Sequence, residues 1–210
     1  MKKILFVGDS ITDGWREREN DNLKGSGYVT IASGWVSSEY PGEYQCINRG
    51  IGGNRVVDLL AREKCDIINL KPDIISIMIG VNDVWQEIGQ KNGISPERYE
   101  VLYDMLISDI KEALPDVKLF IMGSYLTKGL ATTEKWEAFK SGVDKMAAVA
   151  KGLAKKHGLL FVDMQAAFDE ALTKAPAEYW TVDGVHPSSG GQGLIAREWI
   201  KAFKELEKQQ

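Results

Sequence analysis

The sequence predicts a single α/β domain: a parallel sheet of five strands between two layers of helices. Two observations carry this. Short apolar runs alternate along the chain with longer segments whose apolar residues recur at steps of three and four, the pattern of strands joined by crossover helices. At 210 residues, with 44% hydrophobic and 27% charged residues, the chain fills one core comfortably and is short for two. Right-handed crossovers then make the sheet parallel.

The elements follow in order. Ile4, Leu5, Phe6 and Val7 are four consecutive apolar residues rich in strand formers, a strand buried on both faces. Gly8 permits a sharp turn and leaves Ser10 at the strand's carboxyl end, where open α/β sheets bind ligands. Residues 13–27 are polar and read as a surface loop, and a helix over 28–39 stops at Pro41-Gly42. A second strand over 44–48 leads into the glycine-rich turn 49–54, then one helix over 55–70 ended by Lys71-Pro72-Asp73. Residues 74–80 form the most apolar strand, which ends in the polar turn Val81-Asn82-Asp83. A helix over 96–114 turns Val101, Leu102, Met105, Leu106, Ile110 and Leu114 inward, and residues 117–122 give the fourth strand. A long helix from Trp136 ends near His157-Gly158, followed by a fifth strand over 159–163 and a short helix over 165–173. Residues 175–189 read as a loop, and a final amphipathic helix over 190–208 buries Trp199 and Phe203.

Composition excludes several classes. The net charge is -4 with lysine and arginine scattered among the acids, so nothing is built to hold a nucleic-acid backbone. Two lysines precede an apolar run too short for a signal peptide or a spanning helix, which predicts a cytoplasmic protein with no membrane partner. Cys46 and Cys65 read as reduced, packed thiols. With only two histidines and no close Cys/His cluster, no metal and no cofactor are expected.

The sheet edge concentrates the chemistry. Turns after strands one, two, three and five share it, so Ser10, Gly53 and Asn82 can converge. A serine nucleophile needs a base held by a carboxylate. His157 sits in a helix's last turn, where a histidine suits the helix terminus. His186 lies in a loop three residues after Asp183, close enough for one tight loop to aim carboxylate and ring at each other. The Gly53 and Ser10 N–H groups and the Asn82 amide are candidate oxyanion donors.

Gly8-Asp9-Ser10, Asn48-x-Gly50-x-x-Gly53, Gly80-x-Asn82-Asp83 and Asp183-x-x-His186-Pro187 together resemble the ordered blocks of the SGNH (GDSL-type) hydrolases, over nearly the whole chain. The resemblance implies a three-layer flavodoxin-like α/β/α fold, with Ser10 as nucleophile, His186 as base, Asp183 as its orienter, and Ser10, Gly53 and Asn82 as the oxyanion hole. Ile11 stands where the namesake motif has leucine, a change that touches no catalytic atom. Residues 71–85 and 160–168 look similar to bacterial intracellular acetylxylan esterases, which implies a serine carbohydrate esterase acting on small acetylated saccharides, and a homo-oligomer. Asp9, Trp15, Trp85 and Trp180 are the candidate substrate contacts, the three tryptophans falling in predicted loops at the catalytic edge. Two other readings stay open: a lysophospholipase or thioesterase with the same chemistry, and a non-catalytic sugar- or nucleotide-binding module. The first lacks a hydrophobic lid in this sequence and the second lacks a phosphate-loop pattern.

Overall fold

In the computed structural model, which describes residues 1–208, five strands form one sheet. They are β1 (Lys2–Gly8), β2 (Tyr44–Gly50), β3 (Ile74–Met78), β4 (Lys118–Met122) and β5 (Leu160–Val162). All neighbours are parallel, in the order β2-β1-β3-β4-β5. This is the doubly wound order whose switch point lies beside β1, between connections that leave in opposite directions. Leu5 of β1 pairs with Ile47 on one side and Ile75 on the other. Ile4 through Val7 are wholly buried, as expected of a central strand covered on both faces.

The helices are α1 (Ser10–Asp13), α2 (Tyr28–Glu39), α3 (Val56–Ala61), α4 (Glu63–Asp66), α5 (Val81–Gln90), α6 (Pro96–Ala113), α7 (Trp136–His157), α8 (Met164–Leu172), α9 (Ala177–Trp180) and α10 (Ser189–Lys208). On one face α10 packs against α2 and α8; on the other α6 packs against α3 and α7, and α5 against α7. Trp199 of α10 anchors the first layer: its ring stacks on Phe6 at 4.6 Å and Phe203 at 5.4 Å, and its Nε1 donates to Ser76 Oγ at 2.9 Å. A buried serine in the central strand β3 is thereby satisfied.

Four expectations need correction. The single helix over 55–70 is broken into α3, α4 and a 3-10 turn over Ile68–Leu70. The break falls at Arg62, whose guanidinium is drawn to Asn54 Oδ1 (2.8 Å), Asp66 Oδ2 (2.9 Å) and the Gly8 carbonyl (3.3 Å). The polar turn after β3 is instead the start of α5, where Val81, Val84, Trp85 and Ile88 fall at helical spacing and turn toward the core. On α6, Val101 and Met105 are exposed, and Tyr99, Tyr103 and Ile107 fill the inner face. Of the two thiols only Cys46 is packed, and Cys65 is exposed.

Candidate active site

The site is built from four connections at the carboxyl edge of the sheet. After β1 the chain must turn hard against its neighbours. A Cβ at Gly8 would lie 2.3 Å from Thr12 Oγ1 and 2.5 Å from the Met78 carbonyl, so only glycine fits. Asp9 caps α1, its Oδ1 accepting the Ile11 N–H at 3.0 Å. Ser10 follows as the first residue of α1, and its Oγ stands 3.0 Å from His186 Nε2.

The loop before α10 supplies the ring and the carboxylate. Asp183 uses both oxygens: Oδ1 accepts the backbone N–H of Val185 (2.9 Å) and His186 (2.8 Å), and Oδ2 lies 2.7 Å from His186 Nδ1. The carboxylate accepts the Nδ1–H, which fixes the ring proton on Nδ1 and leaves Nε2 as acceptor for the Ser10 hydroxyl. The connection after β4 buttresses this loop, with Ala131 N–H bonding the Asp183 carbonyl at 2.9 Å and Tyr125 Oη donating to the Val185 carbonyl at 2.9 Å. The electrostatics follow from the geometry. The Asp183 hydrogen bond raises the His186 pKa above its ordinary 6.5, against the opposing effect of burial. Burial works against the charge on Asp183, but the bonds from the ring and the two amides outweigh it and hold the carboxyl below its usual value.

Beside Ser10 lies the turn after β2. A Cβ at Gly52 would sit 3.8 Å from Ser10 Cβ, and Gly53 adopts φ +81°, a left-handed conformation that glycine takes without strain. This turn is held at every step. Gly52 N–H donates to Asp13 Oδ2 (3.1 Å), Gln86 Nε2 donates to the Gly53 carbonyl (2.7 Å), and Asn82 Nδ2 donates to the Asn54 carbonyl (3.1 Å). Asn82 and Gln86 are one helical turn apart on α5, so a single face of that helix grips two successive carbonyls. Asp83 then accepts the Val56 N–H at 3.1 Å. Burial pushes the carboxyls of both Asp83 and Asp9 up to about 7.

Against this geometry, residues 6–194 match the GDSL-like lipase/acylhydrolase family. The chain belongs to that family. It is 35% identical to an acetylxylan esterase of Geobacillus stearothermophilus over 95% of this chain and 93% of that protein. Two solved structures superpose closely. A protein of Parabacteroides merdae described as a GDSL-like lipase gives a TM-score of 0.91 at 34% identity, covering 96% of this chain and 94% of that one. A catalytic serine mutant of Axe2, an acetylxylan esterase from Geobacillus stearothermophilus, gives 0.86 at 33% identity, covering 96% and 93%. Catalytic mutants of the same esterase at an aspartate and at a histidine match equally well. The chain is a carboxylic ester hydrolase.

In this GDSL-like hydrolase the structure brings Ser10, Asp183 and His186 together and sets the Gly52-Gly53 turn beside Ser10, with Asn82 holding that turn. The candidate substrate contacts divide. Trp15 is 93% exposed and borders a cleft of about 540 Å³ lined also by Ser10, Val182, Asp183, His186 and Gln192. Trp85 lies on α5 rather than in a loop, with its ring 5.9 Å from that of His186 and edge-on to Phe139, which makes it a wall of the site. Trp180 ends α9 and donates from Nε1 to the Ala175 carbonyl at 3.1 Å, so it anchors the loop. Asp9 is 1% exposed and its carboxylate caps α1, which removes it from contact with any sugar. His157 ends α7, its Nε2 2.6 Å from Asp104 Oδ1, and pairs with no residue of the site. Among the described residues no group of acidic, histidine or cysteine side chains is arranged to hold a metal ion. Sequence reasoning missed Asp13, Arg62 and Gln86. For Gln86 the spacing of four from Asn82 was the available signal, hidden because that stretch reads as a turn.

Proposed function

We propose that this hydrolase removes O-acetyl groups from carbohydrate, with acetylated xylo-oligosaccharides as substrate, through an acetyl-enzyme on Ser10. The observation that carries the chemistry is the relay from Asp183 through His186 to Ser10 Oγ, with contacts of 2.7 and 3.0 Å. His186 takes the Ser10 proton as Oγ attacks the acetyl carbonyl, and the oxyanion is held by the N–H groups of Ser10 and Gly53 and the Asn82 amide. As the tetrahedral intermediate collapses, the bond from the acetyl carbon to the sugar oxygen breaks and the imidazolium gives its proton to that oxygen, which leaves as a hydroxyl. Water then attacks the acetyl-enzyme with His186 again as base, which releases acetate and restores the serine. The substrate class is supported by the identity to an acetylxylan esterase and by an exposed indole at the rim of the cleft.

The same reading places the protein in the cytoplasm, which two unpaired cysteines suit; no helix among the described residues is long and apolar enough to cross a membrane. It also assembles the chain into a homo-oligomer. Leu130 and Val182, 93% and 72% exposed, give apolar surface for such contacts.

Acetate release from acetylated xylo-oligosaccharides, with p-nitrophenyl acetate and octanoate alongside, tests the substrate. The expected result is release from the oligosaccharides and preference for the acetyl over the octanoyl ester. Octanoate turnover with the oligosaccharides untouched would move the enzyme to the lipid-ester branch.

Gln86 tests the oxyanion assignment through a residue that touches no reacting atom. Replacing it by alanine frees the Gly53 carbonyl and loosens the turn that presents the Gly53 N–H. The expected outcome is a fall in kcat of roughly ten- to a hundred-fold with KM nearly unchanged, because the donor is needed only as the oxyanion forms. Steady-state kinetics of Gln86→Ala check this, and a change confined to KM would speak against it.

A further inference from the structure

A second concavity adjoins the cleft. A groove of about 600 Å³ lies between the loop after α1 and the outer side of α2, and Trp15 borders both spaces. Two features of this groove are not demanded by the fold. The first is Trp15 itself, which holds a left-handed backbone at φ +62°, a conformation unfavourable for a bulky residue, and leaves its indole 93% exposed. The second is Gly34, on the groove side in the middle of α2. Glycine weakens a helix interior, and a Cβ at this position would meet nothing within 4 Å. Packing does not call for a glycine there, and the missing side chain leaves the groove open on this side.

The lining selects the kind of ligand. Asn22 and Ser37 present an amide and a hydroxyl whose side chains carry no intramolecular hydrogen bond among the described residues. Arg16 Nε donates to the Gly50 carbonyl at 2.9 Å and Lys24 Nζ to the Asp21 carbonyl at 3.0 Å, and Glu17 offsets part of their charge. An acyl chain would meet polar groups on both walls. A polyol finds hydrogen-bonding groups on both walls, and the indole face at the junction suits the apolar face of a sugar ring.

We propose that this groove is a saccharide subsite, which holds the units of the oligosaccharide beyond the acetylated one while Trp15 supports the chain between groove and cleft. The proposal rests on the reading of the cleft as a carbohydrate esterase site. Its consequence is that activity grows with chain length.

The test compares kcat/KM on acetylated xylose, acetylated xylotetraose and p-nitrophenyl acetate for the wild type, Gly34→Phe, Gly34→Arg and Gly34→Ala. The two large side chains enter the groove from a helix position with open space, and alanine strengthens the helix without filling it. Wild type is expected to favour the tetraose over the single sugar. The ratio of tetraose to p-nitrophenyl acetate activity is expected to fall about ten-fold, the worth of one stacking contact, in the phenylalanine and arginine variants and to hold in the alanine variant. Acetate release from the tetraose with the same ratio in all four proteins would overturn the subsite and leave the esterase reading standing. Hydrolysis of p-nitrophenyl acetate by wild type with no acetate from either sugar would overturn both.

Discussion

Ser10→Ala is expected to lower kcat for acetate release by about 10⁶-fold, the scale on which loss of a nucleophilic serine acts in other triads, while the protein stays folded. Among the described residues the hydroxyl is the only group in the cleft with a base 3.0 Å away, so no neighbouring side chain replaces it. Among the described residues the same hydroxyl makes a single intramolecular bond, to His186, at the first turn of the short helix α1. Its loss should cost about 1 kcal/mol of stability. Near-wild-type thermal unfolding with turnover removed is therefore the expected pair of results. Turnover at the wild-type rate would place the nucleophile elsewhere.

Asp183→Asn is expected to lower kcat by about 10⁴-fold. An asparagine oxygen can still accept the Val185 and His186 amides that shape the loop. Its amino group, however, would face Nδ1, which must then become an acceptor and carry the ring proton to Nε2. The imidazole would be locked in the tautomer that cannot accept from Ser10. The pH profile gives an independent reading. His186 must be neutral to act as base, and the Asp183 bond raises its pKa above 6.5, so the acidic limb of kcat/KM in wild type should lie above pH 6.5. Without the carboxylate that support is lost, and the limb should move downward in the variant as its plateau falls.

The same pair has a signature in stability. The raised His186 pKa contributes stability that is fully present below the ordinary imidazole value and lost as pH rises through the folded one. Asp183, held low in the folded protein, contributes above the ordinary carboxylate value and loses that contribution as pH falls through its folded pKa. The contribution of the pair is therefore largest in the mildly acidic window between 3.8 and 6.5.

The legible parts of this molecule were those written in local pattern. Ile4–Val7 is apolar without interruption because β1 is covered on both faces, and Tyr28–Glu39 carries its own stop signal in Pro41-Gly42. Asp183 and His186 could be read as a pair because three residues separate them in one loop. What stayed hidden depends on partners far away in the chain. Arg62 breaks a helix to reach Gly8 and Asn54, and nothing in residues 55–70 announces that pull. Asp9, next to the nucleophile, reads as an accessible polar residue, yet capping α1 turns its carboxylate inward. At Gly80-Val81-Asn82-Asp83 turn-like residues concealed a helix start, and with it the role of Gln86.

The most direct measurement of the account is labelling with diethyl p-nitrophenyl phosphate, which an activated serine converts to a stable phosphoryl ester. Peptide mass mapping should find one diethylphosphoryl group per chain on the peptide that carries Ser10, growing in step with the loss of acetate release and absent from Ser10→Ala. Full labelling of Ser10 with acetate release intact, or inactivation with the label on another residue, would contradict it.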